Sequence, residues 1–479
     1  MAGCRASAYE SSLTDHEGKG YPTRVEAAAM VPQQGIDGMK QITRKEFVAL
    51  GGALGAALSV GVAFPKVSVA GTPDAIDEVW SDPASDTTIV AAARSRGTAP
   101  MRLEVSESSS FATSTLHPAQ DVSPDAQRYA KVTATGLKPD TQHYYRWLSN
   151  GALAAGAAGK CKTLATPGVP TSFKFVSLSC TRTAANDAYF ASHLAQLDSA
   201  FTLFAGDFYY ESTTQNTSLA KTFRDNWHRP HTRSNRAAWL KGQGHKIVWG
   251  DHDYLGNNSD GTSPNGDIAR DVYRQVVPHP PLPRTGDIGR SFDSGRVRFF
   301  VMDLQSKRSP SVATDDSAKT MLGAEQKSAL KAWLLEHKDH PKVIESPVPW
   351  HATSTNDDDW GSYSTERAEI VGYCEDNGIG NIVVICHDMH AHAYANASNG
   401  TPGGWPVFHA AAGNQVSSSK GGPYAVRYPA GAGVEVRQYG YFVVTDNGGS
   451  TVSITFNPRN SKGADVFAAR THEFTYVPL

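Results

Sequence analysis

An α/β fold preceded by an all-β module is what this sequence predicts, and three observations carry the prediction. Residues 172–479 alternate short apolar runs rich in Val, Ile and Phe with longer stretches of helical periodicity. Residues 72–166 hold only short alternating runs separated by turn residues. The 479-residue length leaves room for one large core and a second module, since single cores stop growing at roughly 250–300 residues.

Composition excludes several classes. The chain is 40% hydrophobic and 19% charged with a formal net charge of −2, so nothing global favours nucleic acid or an anionic membrane, and no nucleic-acid-binding surface is expected. Five cysteines without C-x-x-C spacing indicate neither a zinc knuckle nor a dense disulfide framework. Cys374 and Cys386 read as small buried hydrophobes rather than a bridge.

Residues 1–38 lack hydrophobic periodicity and precede a second methionine, Met39; they read as a leader or a mis-assigned start. Residues 39–70 have the form of an export signal: Lys40, Arg44 and Lys45 ahead of an apolar Gly/Ala-rich stretch at 49–64, then Ser68-Val69-Ala70. That stretch of 16 residues falls short of the ~20 needed to span a bilayer. No stable membrane anchor is therefore expected after cleavage, and a periplasmic or extracellular location is. Thr43 to Val48 resembles a twin-arginine signal with Lys45 in the second basic place, which makes the twin-arginine export machinery a candidate partner.

Within 72–166, alternation at 130–135 and 143–147 with turns at Lys138-Pro139-Asp140 and Asn150-Gly151 predicts an all-β sandwich of about seven strands. GLKPDTQHYYRW at 136–147 resembles a fibronectin type III-like domain, with Tyr144 and Tyr145 as core and corner residues. Pro167-Gly168-Val169-Pro170 reads as a linker. Beyond it, FKFVSLSC, FTLFAGD, HKIVWGDHD, VRFFVMD, KVIESPVP, NIVVICHD, WPVFHAAAGN, YGYFVVTD and VSITF read as strands. AANDAYFASHLAQLD, GAEQKSALKAWLLEH and STERAEIVGYCEDN read as helices.

The chemistry gathers at strand ends. Cys180, Asp207, Asp251 and Asp388 each follow an apolar run, and ligand sites in α/β sheets collect beyond the carboxyl ends of strands. Tyr210 returns three residues after Asp207. Thiolate, phenolate and carboxylates supply the charge a trivalent iron needs; carboxylate and amide oxygens suit a calcium or magnesium neighbour. Asp207 is placed to bridge the two. Clustered His and Asp at 251–253 and 387–392 favour metal or acid–base work.

These marks together resemble the PhoD family of alkaline phosphatases and phosphodiesterases, within the metallophosphoesterase superfamily. The matching segments are Ser179-Cys180, GDFYYE at 206–211, WGDHDYLGNN at 249–258, VMDLQSKRSP at 301–310, LGAEQKSALKAWL at 322–334, DWGSYSTERAE at 359–369 and HDMHAH at 387–392, in the family's order. The resemblance implies a four-layer α-β-β-α core at 172–479 behind the family's β-sandwich at 72–166, holding Fe3+ and Ca2+. It implies Cys180, Asp207, Tyr210 and Asp388 on iron, and Asp207, Asp251 and Asn257 on the calcium side. His252, His390 and Asp253 are the implied catalytic groups, with Lys307, Arg308, His387 and His392 toward the phosphate ester substrate. The reaction implied is hydrolysis of phosphate monoesters or diesters by metal-bound hydroxide, without a covalent enzyme intermediate. A phospholipase D-like phosphodiesterase and a catalytically weak extracellular binding protein are the alternatives.

Three positions depart from the family's pattern. Gly250 stands where an Asp is usual, Gln305 where an Arg is, and His387 where a Gly is. A glycine at 387 would matter if that turn took positive φ there.

Overall fold

The computed structural model describes residues 72–122, 127–182, 187–210, 219–416, 418, 420–429 and 436–476. The expected leader and export signal lie outside these residues. The described chain falls in one compact unit, 68–479, and no helix in it is long and apolar enough to cross a membrane.

Seven strands form first: β1 (Ile76–Asp82), β2 (Ile89–Ser95), β3 (Met101–Ser106), β4 (Thr115–Leu116), β5 (Tyr129–Ala134), β6 (Gln142–Ser149) and β7 (Ala152–Lys162). They make two antiparallel sheets, β1-β2-β5 and β4-β3-β6-β7. In β6 every second side chain is buried, the signature of a strand with one face on a core. That core joins both sheets: Ile89 and Ala91 from one meet Leu103, Tyr145 and Trp147 from the other.

The remaining strands make two larger sheets. β8 (Phe173–Leu178), β9 (Phe201–Ala205) and β10 (His245–Val248) run parallel. β11 (Arg290–Ser294) and β12 (Val297–Val301) form a hairpin, and β13 (Lys342–Ser346) and β14 (Ile382–Cys386) follow β12 in parallel. Beside β14 lie β16 (Val407–His409), then β15 (Ala391–Ala395) and β17 (Val426–Pro429). β18 (Gln438–Asp446), β19 (Thr451–Asn460) and β20 (Arg470–Thr475) close the chain as a meander antiparallel to β8. The sheet orders are β10-β9-β8-β18-β19-β20 and β11-β12-β13-β14-β16-β15-β17. All nine runs read as strands from 172 onward are strands.

The two large sheets meet through phenylalanines. The Phe175 ring stacks on Phe201 at 5.2 Å and on Phe442 at 4.8 Å, and meets Phe299 of the other sheet edge-on at 5.6 Å. β9, β12 and β14 are buried at every position, and β14 (IVVIC) is a continuous apolar run instead of an alternating one. Helices Gly323–Glu336 and Ser364–Asp376 cover Phe300, Ile344, Ile382 and Val384 with Leu330, Trp333, Leu334 and Ile370. Helices Leu219–His228, Ser234–Gly242 and Gly266–Val276 bring Trp227, Trp239 and Tyr273 against the sheet containing β9 and β10.

One predicted helix is broken. Of the segment expected as a helix from 184 to 198, the described residues hold Tyr189–Ser192 and a 3-10 turn Leu194–Gln196, separated because His193 leaves helical geometry at φ −126, ψ −68. The N-terminal strands also reach the larger sheets: Trp80 stacks on Phe208 at 5.6 Å. Lys246 of β10 donates to Asp82 at 2.7 Å and to the Pro83 carbonyl at 2.6 Å.

Candidate metal centre

β8, β9 and β10 end on Ser179-Cys180, Gly206-Asp207 and Gly250-Asp251, and β14 in the facing sheet ends on His387-Asp388. Parallel strands make these four carboxyl ends coincide. Four side chains at the tips take left-handed backbone: Cys180 (φ 53), Asp207 (φ 57), Asp388 (φ 74) and His390 (φ 56). Non-glycine residues held there store strain, and such positions concentrate at functional sites. In the 387–392 turn the positive φ falls on Asp388 and His390, and His387 is outside that region. The expected cost of a non-glycine at 387 does not arise.

Donor atoms of Cys180, Asp207, Asp388 and His390 lie within 4.8 Å of one another, as do those of Asp207, Asp251 and His252. Asp207 belongs to both groups. The Tyr210 hydroxyl adjoins the first, 3.3 Å from His390 Nε2. His390 Nδ1 lies 2.6 Å from the Val416 carbonyl, so Nδ1 carries the proton and the Nε2 lone pair faces the group, the arrangement a metal-binding histidine adopts.

Crowded acids and burial reinforce each other. Burial pushes the Asp207 carboxyl well up, and Asp251 and Asp388 add to it. Asp388 rises to about 7, burial outweighing Lys420 beside it. The Cys180 thiol is pushed up by burial and then by Asp207 and Asp388; the Tyr210 phenol by burial, Asp207 and Cys180. The His390 imidazole falls to about 4, chiefly through burial. A set of anionic donors that resists ionisation without a counter-charge is what a multivalent cation stabilises. Gln305 lines the same small cavity with Cys180, Asp207, Asp251 and Asp388. Its side-chain oxygen is buried and unpartnered, a further donor suited to a cation.

The support around the centre is polar and specific. Asp253 accepts from the amides of Phe208 (3.0 Å), Tyr209 (3.0 Å) and Gly250 (3.1 Å), locking the turn after β9 onto that after β10. Arg236 donates to Thr181 Oγ1 at 2.6 Å and to the Phe208 carbonyl at 3.1 Å, tying the Cys180 turn to the Asp207 turn. Gly250 is required by close approach: a Cβ there would sit 2.4 Å from Asp207 Oδ1 and 2.8 Å from its amide nitrogen. The departure at 250 therefore has a steric cause.

Several sequence expectations are redirected. Asp253, expected as catalytic, spends its carboxylate on backbone amides and acts as a clamp. Asn257 is exposed and bonds to Asn258; it is the Asn258 amide that donates to Asp251. His387, expected at substrate, is fully buried, 3.1 Å from Ser177 and 2.8 Å from Glu345. His392 is buried as well, Nε2 at 3.2 Å from the Arg459 carbonyl, because alternation along β15 turns it inward. Arg308 donates twice to the Ser259 carbonyl, at 3.0 and 2.6 Å, and pairs with Asp358 at 3.7 Å. Lys307 is exposed on a different cavity of about 370 Å³, shared with residues 261–267 and Arg270.

Nothing in the local sequence marks Lys420 as a site residue. Its ammonium donates to Asp388 Oδ2 at 2.6 Å and to Asp358, contacts that join residues 32 and 62 positions apart and leave no trace in local sequence.

The sequence profile of the PhoD-like phosphatase family matches residues 175–457, and that of the PhoD-like phosphatase N-terminal domain matches 79–165. Alkaline phosphatase D of Bacillus subtilis (strain 168) is 26% identical over 351 residues, 62% of this chain and 59% of that protein's length. A solved structure of PhoD superposes with a TM-score of 0.65 at 19% identity, covering 83% of this chain and 90% of that one. The purple acid phosphatase PPD1 from yellow lupin (Lupinus luteus) seeds gives 0.57 at 12% identity, covering 83% and 74%; at such identities these two likenesses speak for the fold alone. With a profile match over residues 175–457, more than half its length, the chain belongs to the PhoD-like phosphatase family.

Proposed function

We propose that this chain is a metal-dependent phosphoric ester hydrolase of the alkaline phosphatase D type, acting on phosphate monoesters, diesters or both. The observation that carries the reading is the shared carboxylate Asp207, common to a Cys180–Asp388–His390 group and an Asp251–His252 group. The facing large sheets with helices outside them support a four-layer α-β-β-α core at 172–479. The two small sheets support a fibronectin type III-like sandwich at 72–166. The signal pattern at 39–70 supports export to the periplasm or cell exterior.

Cys180, Asp207, Tyr210, Asp388 and His390 would hold ferric iron, for which thiolate and phenolate are strong donors. Asp207, Asp251 and the Gln305 amide oxygen would serve a calcium ion, which takes oxygen ligands. Such cations, when bound, neutralise charge on phosphoryl oxygens and make water acidic enough to attack phosphorus near neutral pH. The chain's own groups do the rest. His390, neutral at and above pH 7, keeps its Nε2 lone pair directed inward. His252, half-buried with its ring 4.3 Å from that of Tyr210, would protonate a departing ester oxygen. Asp253 and Arg236 hold the two turns in register so that these side chains converge.

Purified protein should contain iron by elemental analysis and show the visible absorbance of phenolate-to-iron charge transfer. It should hydrolyse p-nitrophenyl phosphate or bis-p-nitrophenyl phosphate, losing that activity on chelation. Cys180→Ala and Tyr210→Phe should lower iron content along with turnover. A colourless, iron-free, fully active preparation would overturn the assignment of the metal; no turnover of either ester with metal bound would favour the binding-protein alternative.

A further inference from the structure

Lys420 reaches the candidate metal centre from the segment after β16, where its ammonium meets Asp388. Its segment is fastened on both flanks. Ser418 donates its amide to the Met389 carbonyl at 3.0 Å, and the Ala425 amide donates to the Tyr394 carbonyl at 3.0 Å, where β17 begins to pair with β15. Tyr424 packs on Met389, Ala391 and Ala393. These bonds hold the described residues on either side of Lys420 against β15 and the turn before it.

The ammonium lies 2.6 Å from Asp388 Oδ2 and bonds to Asp358, with Asp357 at 3.7 Å, beyond hydrogen-bond reach. Two of its three N–H groups are thereby directed. The side chain retains 15% exposure, and among the described residues the hydrogen bonds of the ammonium go to Asp358 and Asp388, which leaves one N–H to direct elsewhere. Other cations nearby are committed: Arg308 is turned onto Ser259 and Asp358, and Lys307 opens onto a separate cavity. Position 305, next to the ligands, carries an uncharged amide.

Resting on the phosphatase reading above, we propose that Lys420 is the substrate-clamping cation of this site, its free N–H donating to a phosphoryl oxygen while Asp358 holds the ammonium at the rim. The clamp is thus supplied by the segment after β16, not by the loop after β12. An ammonium acts as a point charge and suits a phosphoryl group that approaches in more than one orientation.

The test uses the full chain loaded with its metal, comparing wild type with Lys420→Met and Lys420→Arg. Elemental analysis comes first, then p-nitrophenyl phosphate kinetics and inhibition by inorganic phosphate. Lys420→Met should keep its metal, raise KM and the phosphate inhibition constant by about tenfold or more, as loss of a charged hydrogen bond does, and lower kcat less. Lys420→Arg should recover most of the difference. Unchanged KM and phosphate inhibition in Lys420→Met would overturn the proposal. So would a loss of metal in both variants that alone accounts for the lost activity. If wild type hydrolyses no ester, the phosphatase reading fails separately; calorimetric binding of inorganic phosphate, tighter in wild type than in Lys420→Met by the same factor, still decides Lys420.

Discussion

Replacing Gly250 by alanine puts a methyl group where the structure has no room for one. The new Cβ would lie 2.4 Å from Asp207 Oδ1, 2.8 Å from the Asp207 amide nitrogen and 3.1 Å from Gly206 Cα. Backbone strain is not the issue, since Gly250 sits at φ −99, open to any residue. Asp207 Oδ1 can swing away; the Asp207 nitrogen and Gly206 Cα are main chain and cannot without opening the contact between the turns after β9 and β10. Overpacking of this kind costs about 1–3 kcal/mol. The displaced carboxylate is the one shared by both ligand groups, so metal binding should suffer more than folding. Groups that orient a metal site typically change affinity or activity by about 10–100-fold, and we expect a loss in that range. Gly250→Asp, the residue usual in the family at this position, should be worse. Denaturant unfolding, elemental analysis and ester hydrolysis measure the three effects. Wild-type metal content and turnover in Gly250→Ala would refute the steric argument.

Two further outcomes test the surroundings. Asp253→Asn keeps one acceptor oxygen and turns an amide NH2 toward backbone N–H groups now bonded at 3.0–3.1 Å. A buried unsatisfied donor costs about 1–3 kcal/mol, so unfolding should shift by that amount with metal content falling too; a variant as stable as wild type would remove the clamp role. Lys131, on β5, contacts the Arg274 carbonyl and His279, and burial lowers its ammonium from 10.5 to about 7. Between those values the unfolded chain binds more protons than the folded one, so this residue makes stability rise with pH from about 7 to about 10.5. The effect is on the order of 3 kcal/mol after allowing for solvent that reaches a half-buried side chain. Lys131→Met should flatten that part of the profile, and an unchanged slope would place the titration elsewhere.

Strand content and the candidate ligand cluster were legible in the primary structure because both are local. A run buried on both faces is apolar throughout, and a ligand at a strand tip follows its run directly, as Cys180, Asp207, Asp251 and Asp388 do. Residue type at those tips also pointed to the proposed chemistry, since thiol, phenol and carboxylate together suit a multivalent cation. What surrounds the ligands was decided only in three dimensions. His387 and His392 look like site residues by proximity in sequence, yet His387 is buried against Ser177 and Glu345 and His392 against the Arg459 carbonyl. Arg308 looks like a phosphate clamp until Ser259 and Asp358 are seen to occupy it. Gly250 looks like a lost acid until Asp207 is found against its α-carbon. Lys420 carries no motif, because its meaning comes from Asp358 and Asp388, 62 and 32 positions away in the chain and brought to it by the fold. Identity at a strand end is fixed by a few neighbours in sequence; the direction in which a side chain spends its hydrogen bonds is fixed by whichever distant backbone the fold delivers to it.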